Sequence, residues 1–162
     1  MKMCNSEAMK LIKELETKKD KFIYVEDHHS KISYKEGEEK VLTNYDYAQT
    51  RKIVAQLDER IRKIKHALAV SNCATVIEYF DITIGEALIY LAQLNAERAQ
   101  LDELSENVKL SRRITPNGVI EYTECLYDPE QVEKDMEELR AKIGKLQIAI
   151  DRANLTHYVD VD

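Results

Sequence analysis

The chain has 162 residues, 44% apolar and 33% charged, with 4 Gly, 2 Pro and no Trp, which suits one domain built mainly of long amphipathic helices with few turns. Its net charge of −6 is balanced over residues 1–40 and turns acidic over 129–162, so it lacks the concentrated positive footprint that nucleic-acid binding needs. No stretch of 18 apolar residues and no signal-peptide pattern occurs in it, and a cytoplasmic protein that does not enter a membrane is expected.

The first element is a helix over Asn5–His28. Cys4, Ala8, Leu11, Leu15, Lys18, Phe22 and Val25 recur at spacings of 4 and 3, and Ser6 or Asn5 stands where an N-cap belongs. Residues 29–43 lose that period and place Gly37 among charges, which predicts a loop, with room for a short extended piece at Lys31–Tyr34. A second helix is expected over Tyr45–Val70, on the stripe Tyr47, Thr50, Val54, Leu57, Ile61, Ile64 and Leu68. Its cations Arg60, Arg62, Lys63 and Lys65 are spread round the outer face and read as a solvated surface.

β-Branched and aromatic residues then cluster at Thr75–Phe80, where a short strand or an ordered connector fits. Thr83 and Glu86 have the spacing of a capping box and open a third helix, which runs to about Val108. Its seam is Ala87, Leu91, Leu94, Arg98, Leu101 and Ser105. A guanidinium on such a seam must reach the rim or meet an acid, because burying it unpaired costs several kcal/mol; Arg98 therefore counts among the candidate binding residues.

Residues 110–127 read as a β-hairpin turning at Pro116-Asn117-Gly118, where Pro sets φ and Asn-Gly accepts positive φ. A hairpin of this kind is marginal alone and must rest on helices or on another subunit. Asp128 then caps Pro129 at the start of a fourth helix, 129–153, whose seam Val132, Met136, Leu139, Ile143, Leu146, Ile150 and Ala153 is apolar throughout. A seam without interruption points to a central helix packed on several sides. The expected fold is a mainly α single domain over 1–162: three to four long antiparallel helices, with the hairpin inserted between helices three and four.

Signatures of chemistry are sparse. Cys4, Cys73 and Cys125 form no CxxC, against both a disulfide framework and a zinc site. The four glycines form neither a dinucleotide fingerprint nor a Walker loop. A carboxylate-bridged di-metal centre in a helical bundle needs two Glu-x-x-His pairs; the sequence supplies one, Glu26 with His29, beside His28. The most suggestive pair is Arg112-Arg113 on the first hairpin arm, since alternate strand residues face opposite ways and an Arg near Tyr122 can grip an anion. The commoner outcome is an Arg paired with Glu121 or Glu124 across the hairpin.

Several segments in order, EAMKLIKELETKK, KEGEE, Ser71-Asn72, TIGEAL and IAIDRANLTH, resemble the DIP1984, or septicolysin-like, family of bacterial proteins. Ile89-Tyr90-Leu91-Ala92 and Leu155 depart from its pattern. The resemblance implies a long-helix fold with a small β-element, oligomerisation and no established activity. It also marks Asn72 and Asn154 as recurrent polar positions at helix ends, where a capping role is expected. Taken together, the expectation is a non-enzymatic homo-oligomeric interaction or scaffold protein without cofactor. The alternatives are a module binding an anionic small molecule or nucleotide through Arg98, Arg112, Arg113 and Tyr122 at a subunit interface, and a metal-dependent enzyme using Glu26, His28 and His29.

Overall fold

The computed structural model describes residues 1–161. Four helices and two two-stranded antiparallel pairs make the chain mainly α: β1 (Lys2–Cys4), α1 (Asn5–His29), α2 (Tyr47–Ala74), α3 (Ile84–Ser105), β2 (Leu110–Ile114), β3 (Ile120–Glu124), α4 (Pro129–Thr156) and β4 (Tyr158–Asp160). No helix among the described residues is long and apolar enough to cross a membrane. The elements gather into two compact units, one of residues 1–74 with the tail from Asn154, the other of Thr75–Ala153.

In the first unit α1 and α2 form an antiparallel hairpin. Its direction is fixed by side-chain pairs that run oppositely along the two helices, Lys65 to Glu16 at 2.7 Å and Lys19 to Asp58 at 2.8 Å. Between them Ala8, Ile12, Leu15, Leu57, Ile61, Ile64 and Leu68 are buried, closed by Val159 and Val161 from the tail. Each large aliphatic side chain so buried contributes roughly 1.5–3 kcal/mol. Lys18, the polar break in the α1 stripe, is exposed, whereas Thr50 in α2 is buried.

Two local expectations are corrected. The α1 N-cap is Cys4, in extended conformation, and its backbone N–H donates to the Glu7 carboxylate at 2.9 Å, leaving Asn5 as the first helical residue. Lys31–Tyr34 form no strand; residues 30–46 are irregular apart from a turn at Glu36-Gly37. Strand β1 instead pairs with β4, Met3 opposite Val159, a pairing with no counterpart in the sequence reading.

The second unit is built on α3 and α4, whose residues Ala87, Leu94, Leu139, Ile143, Leu146 and Ile150 share one core with Ile77 and Ile84. Thr83 caps α3, its hydroxyl accepting from the Glu86 N–H at 3.2 Å. All seven seam residues of α4 are buried. Most of its other positions are exposed, so α4 buries one stripe rather than several sides. The reason is compositional: Glu130, Glu133, Glu137, Lys142 and Lys145 occupy the remainder of the helix surface.

Candidate functional site

The hairpin places three of the four anticipated binding residues, and its register decides what each can do. Ile114 pairs with Ile120, Arg112 with Tyr122 and Leu110 with Glu124, so these six share one face. The opposite face holds Ser111, Thr123 and the pair Arg113–Glu121, whose guanidinium and carboxylate meet at 2.6 Å. Arg113 is thus engaged across the hairpin, and Arg112 stands beside Tyr122. Arg98 lies exposed on α3, and among the described residues no hydrogen bond or ion pair joins it to the hairpin. All ten strand residues are exposed, as are Val108, Val119 and Leu126, the last at 98%. Alternation along β3 alone marks neither face as strongly apolar; the cross-strand register collects Leu110, Ile114, Ile120 and Tyr122 on one, beside Arg112 and Glu124.

Glu26, proposed from sequence as a metal ligand, is committed elsewhere. It is buried at 8% exposure; Tyr45 Oη donates to its Oε1 at 2.7 Å, Arg51 Nε donates to the same oxygen at 2.9 Å, and the Arg51 terminal nitrogen engages Oε2. Burial, then the neighbouring Tyr47 and Asp46, push the Tyr45 hydroxyl above its ordinary range, which keeps it a donor. His28 stacks on Tyr24 with ring centroids 4.0 Å apart, and the His29 carbonyl accepts from Thr43 Oγ1 at 2.7 Å. These contacts fasten both ends of the irregular 30–46 segment. Among the described residues no group of three or more His, Cys, Asp or Glu is assembled that could hold a metal ion.

Asn72 and Asn154 meet a residue that sequence reading treated only as a possible cap. Asn5 is fully buried; its Nδ2 donates to Asn72 Oδ1 and to Asn154 Oδ1, both at 3.4 Å, and its Oδ1 accepts from Ser71 Oγ at 3.3 Å. Its backbone N–H donates to the His157 carbonyl at 3.1 Å. The start of α1 and the ends of α2 and α4 are therefore joined by one saturated amide. Asn72 and Asn154 act between helices, which their positions near helix ends did not disclose.

A fourth locality is the segment joining α2 to α3, whose left-handed backbone had no signal in the sequence. Between α2 and α3 the backbone closes a tight loop, with Ile77 N–H to the Ile82 carbonyl at 2.9 Å and Ile84 N–H to the Thr75 carbonyl at 2.8 Å. Of the short strand or ordered connector expected at Thr75–Phe80, the connector forms, with the isolated bridge Val76–Thr83, because the chain must reverse within those few residues. Inside the loop Tyr79 has φ +69° and Asp81 φ +54°, a left-handed backbone that is a genuine outlier for a bulky residue. Each such residue costs on the order of 1–3 kcal/mol and is held only by its surroundings. The loop and α4 enclose a depression of about 410 Å³ lined by Glu78, Tyr79, Phe80, Lys145, Ile148 and Arg152. Arg152 donates to Glu78 at 3.0 Å, and Glu78 first, then Tyr79, hold its pKa further above the ordinary arginine range.

Another depression, about 830 Å³, runs along α1 and is lined by Lys10, Lys13, Lys18 and Lys21 with Glu14 and Thr17, around Phe22 and Val25. The floor is apolar and the rim basic, as lysines that lay their stems along apolar surface produce.

Comparison with known proteins places the fold. A solved crystal structure of a functionally unknown conserved protein from Corynebacterium diphtheriae matches 99% of this chain and 100% of its own, with TM-score 0.73 at 15% sequence identity. No family model matches the chain, and no curated protein does.

Proposed function

We propose that this chain is a non-enzymatic, homo-oligomeric interaction protein that docks through the apolar face of the β2–β3 hairpin, and that it belongs with the DIP1984 family. The observation that carries the first part is that face itself. Leu110, Ile114, Ile120 and Tyr122 are collected on one side of a two-stranded ribbon and are all exposed. Such a ribbon is marginally stable without cover, and exposed apolar side chains gathered on one face, here interspersed with Arg112 and Glu124, favour an association site. A second copy is the natural cover, because the same face on both partners gives a closed two-fold contact. The family placement is supported by a fold shared over nearly the whole chain with a protein from Corynebacterium diphtheriae, the species whose locus gives the family its name.

Size-exclusion chromatography with light scattering tests the association. An oligomer is expected at micromolar concentration, with Tyr122→Asp plus Leu126→Asp reducing it to monomer. A wild-type chain that elutes at its monomer mass of 18.8 kDa overturns the reading.

A further inference from the structure

We propose that the depression between the 77–82 loop and α4 is a binding site for a small aromatic carboxylate, a planar ring bearing one negative charge. The argument begins with the loop. A tyrosine held at φ +69° and left 89% exposed gains no burial in return for its backbone strain. Glycine or asparagine would satisfy the same turn without that cost. Strain of this kind persists where the side chain's placement is itself used, and the surroundings here over-determine it through the two backbone closures at Ile77–Ile82 and Thr75–Ile84.

What the loop places the ring beside gives the ligand its chemistry. Tyr79 and half-buried Phe80 offer aromatic surfaces, and Ile148, which is 62% exposed, gives an apolar wall. Lys145 and Arg152 bring two positive charges to the same depression and Glu78 one negative, a net of one cation. That balance matches a carboxylate at −1 better than a phosphate ester at about −1.5 to −2. The volume, about 410 Å³, lies at the lower end of the roughly 300–1,000 Å³ of small-molecule sites, which suits a ring with a short acidic arm. A ring stacked on Tyr79 and paired with Lys145 uses both features at once, by stacking and by a charge-assisted hydrogen bond.

Calorimetric titration and melting curves of the full chain test the site with three probes: indole-3-acetate, its neutral alcohol analogue tryptophol, and inorganic phosphate. Indole-3-acetate is expected to bind saturably and raise the melting temperature, with tryptophol and phosphate at least tenfold weaker. Lys145→Ala is expected to weaken indole-3-acetate at least tenfold with the unliganded melting temperature unchanged. Tyr79→Gly is expected to melt higher than wild type and yet lose binding, a combination that a merely structural role for Tyr79 does not produce. Absence of saturable indole-3-acetate binding, equal affinity for tryptophol, binding of phosphate alone, or full binding by Lys145→Ala each overturns the proposal. The outcome is independent of whether the chain associates through its hairpin.

Discussion

The Asn5 junction and the outer face of the hairpin invert the usual placement of side chains. At the junction a fully buried amide is saturated by Asn72, Asn154 and Ser71; on the hairpin, Leu110, Ile114, Ile120 and Tyr122 stand in water on one face. A buried polar group is costly unless every partner is present, so the junction discriminates among arrangements of the helix ends. The hairpin face has no such internal reason to exist. The contrast teaches that this molecule places polarity inside to hold its helix ends together and leaves apolar side chains exposed on the hairpin.

The largest effect is expected at the junction. Asn5→Leu fits the space approximately but strands the amide oxygens of Asn72 and Asn154 and the Ser71 hydroxyl, and should cost about 2–3 kcal/mol in urea denaturation; a loss under 0.5 kcal/mol would remove the inversion at its polar end. Glu26→Gln comes next. The Arg51 side chain is half exposed and its pairing is screened, so about 1 kcal/mol is expected, together with faster proteolysis within residues 30–46 as Tyr45 and Arg51 lose their shared acceptor. On the hairpin, Tyr122→Asp with Leu126→Asp should shift intrinsic stability by no more than about 0.5 kcal/mol while abolishing association, the converse of the Asn5 result.

The smallest effect concerns Lys19, whose hydrogen bond to Asp58 raises its pKa above the ordinary 10.5. A group whose folded pKa is raised stabilises fully below the unfolded value and loses that contribution as pH climbs through the raised one. The pair should therefore contribute in full at neutral pH, where its effect does not vary with pH, and fade only in strong base. Asp58→Asn should flatten that alkaline limb of the stability curve, measured by thermal melts against pH.

What could be read from sequence was what the chain states locally. The seven seam residues of α4 are all buried because heptad spacing is a property of a single helix. Pro116-Asn117-Gly118 turns the hairpin, with Gly118 at φ +76°, because the turn chemistry resides in three adjacent residues. The face of that hairpin was not legible: it depends on Ile114 meeting Ile120, a register property, rather than on alternation along either arm. Arg51 on Glu26 and Asn5 on Asn72 join residues far apart in sequence, and no local pattern announces such a partner. Tyr79 is harder still, since nothing about tyrosine suggests a left-handed backbone. Arg98, on a seam position, is exposed, one of the two outcomes that its charge allows there.

The pairing of β1 with β4 also sets an order of events. Val159 and Val161 complete the core laid down by α1 and α2, so that core is complete only once residues 158–161 have been synthesised. Residues Thr75–Ala153, which form a compact unit of their own, emerge from the ribosome earlier and have all their partners in hand. The expected sequence during translation is that Thr75–Ala153 folds first and the other unit completes its core later, across a long intervening stretch of chain whose closing entropy is cut by the structure already formed within it. A chain stalled just short of Tyr158 would leave uncovered the part of the α1–α2 core that Val159 and Val161 close, and chaperone occupancy should rise there.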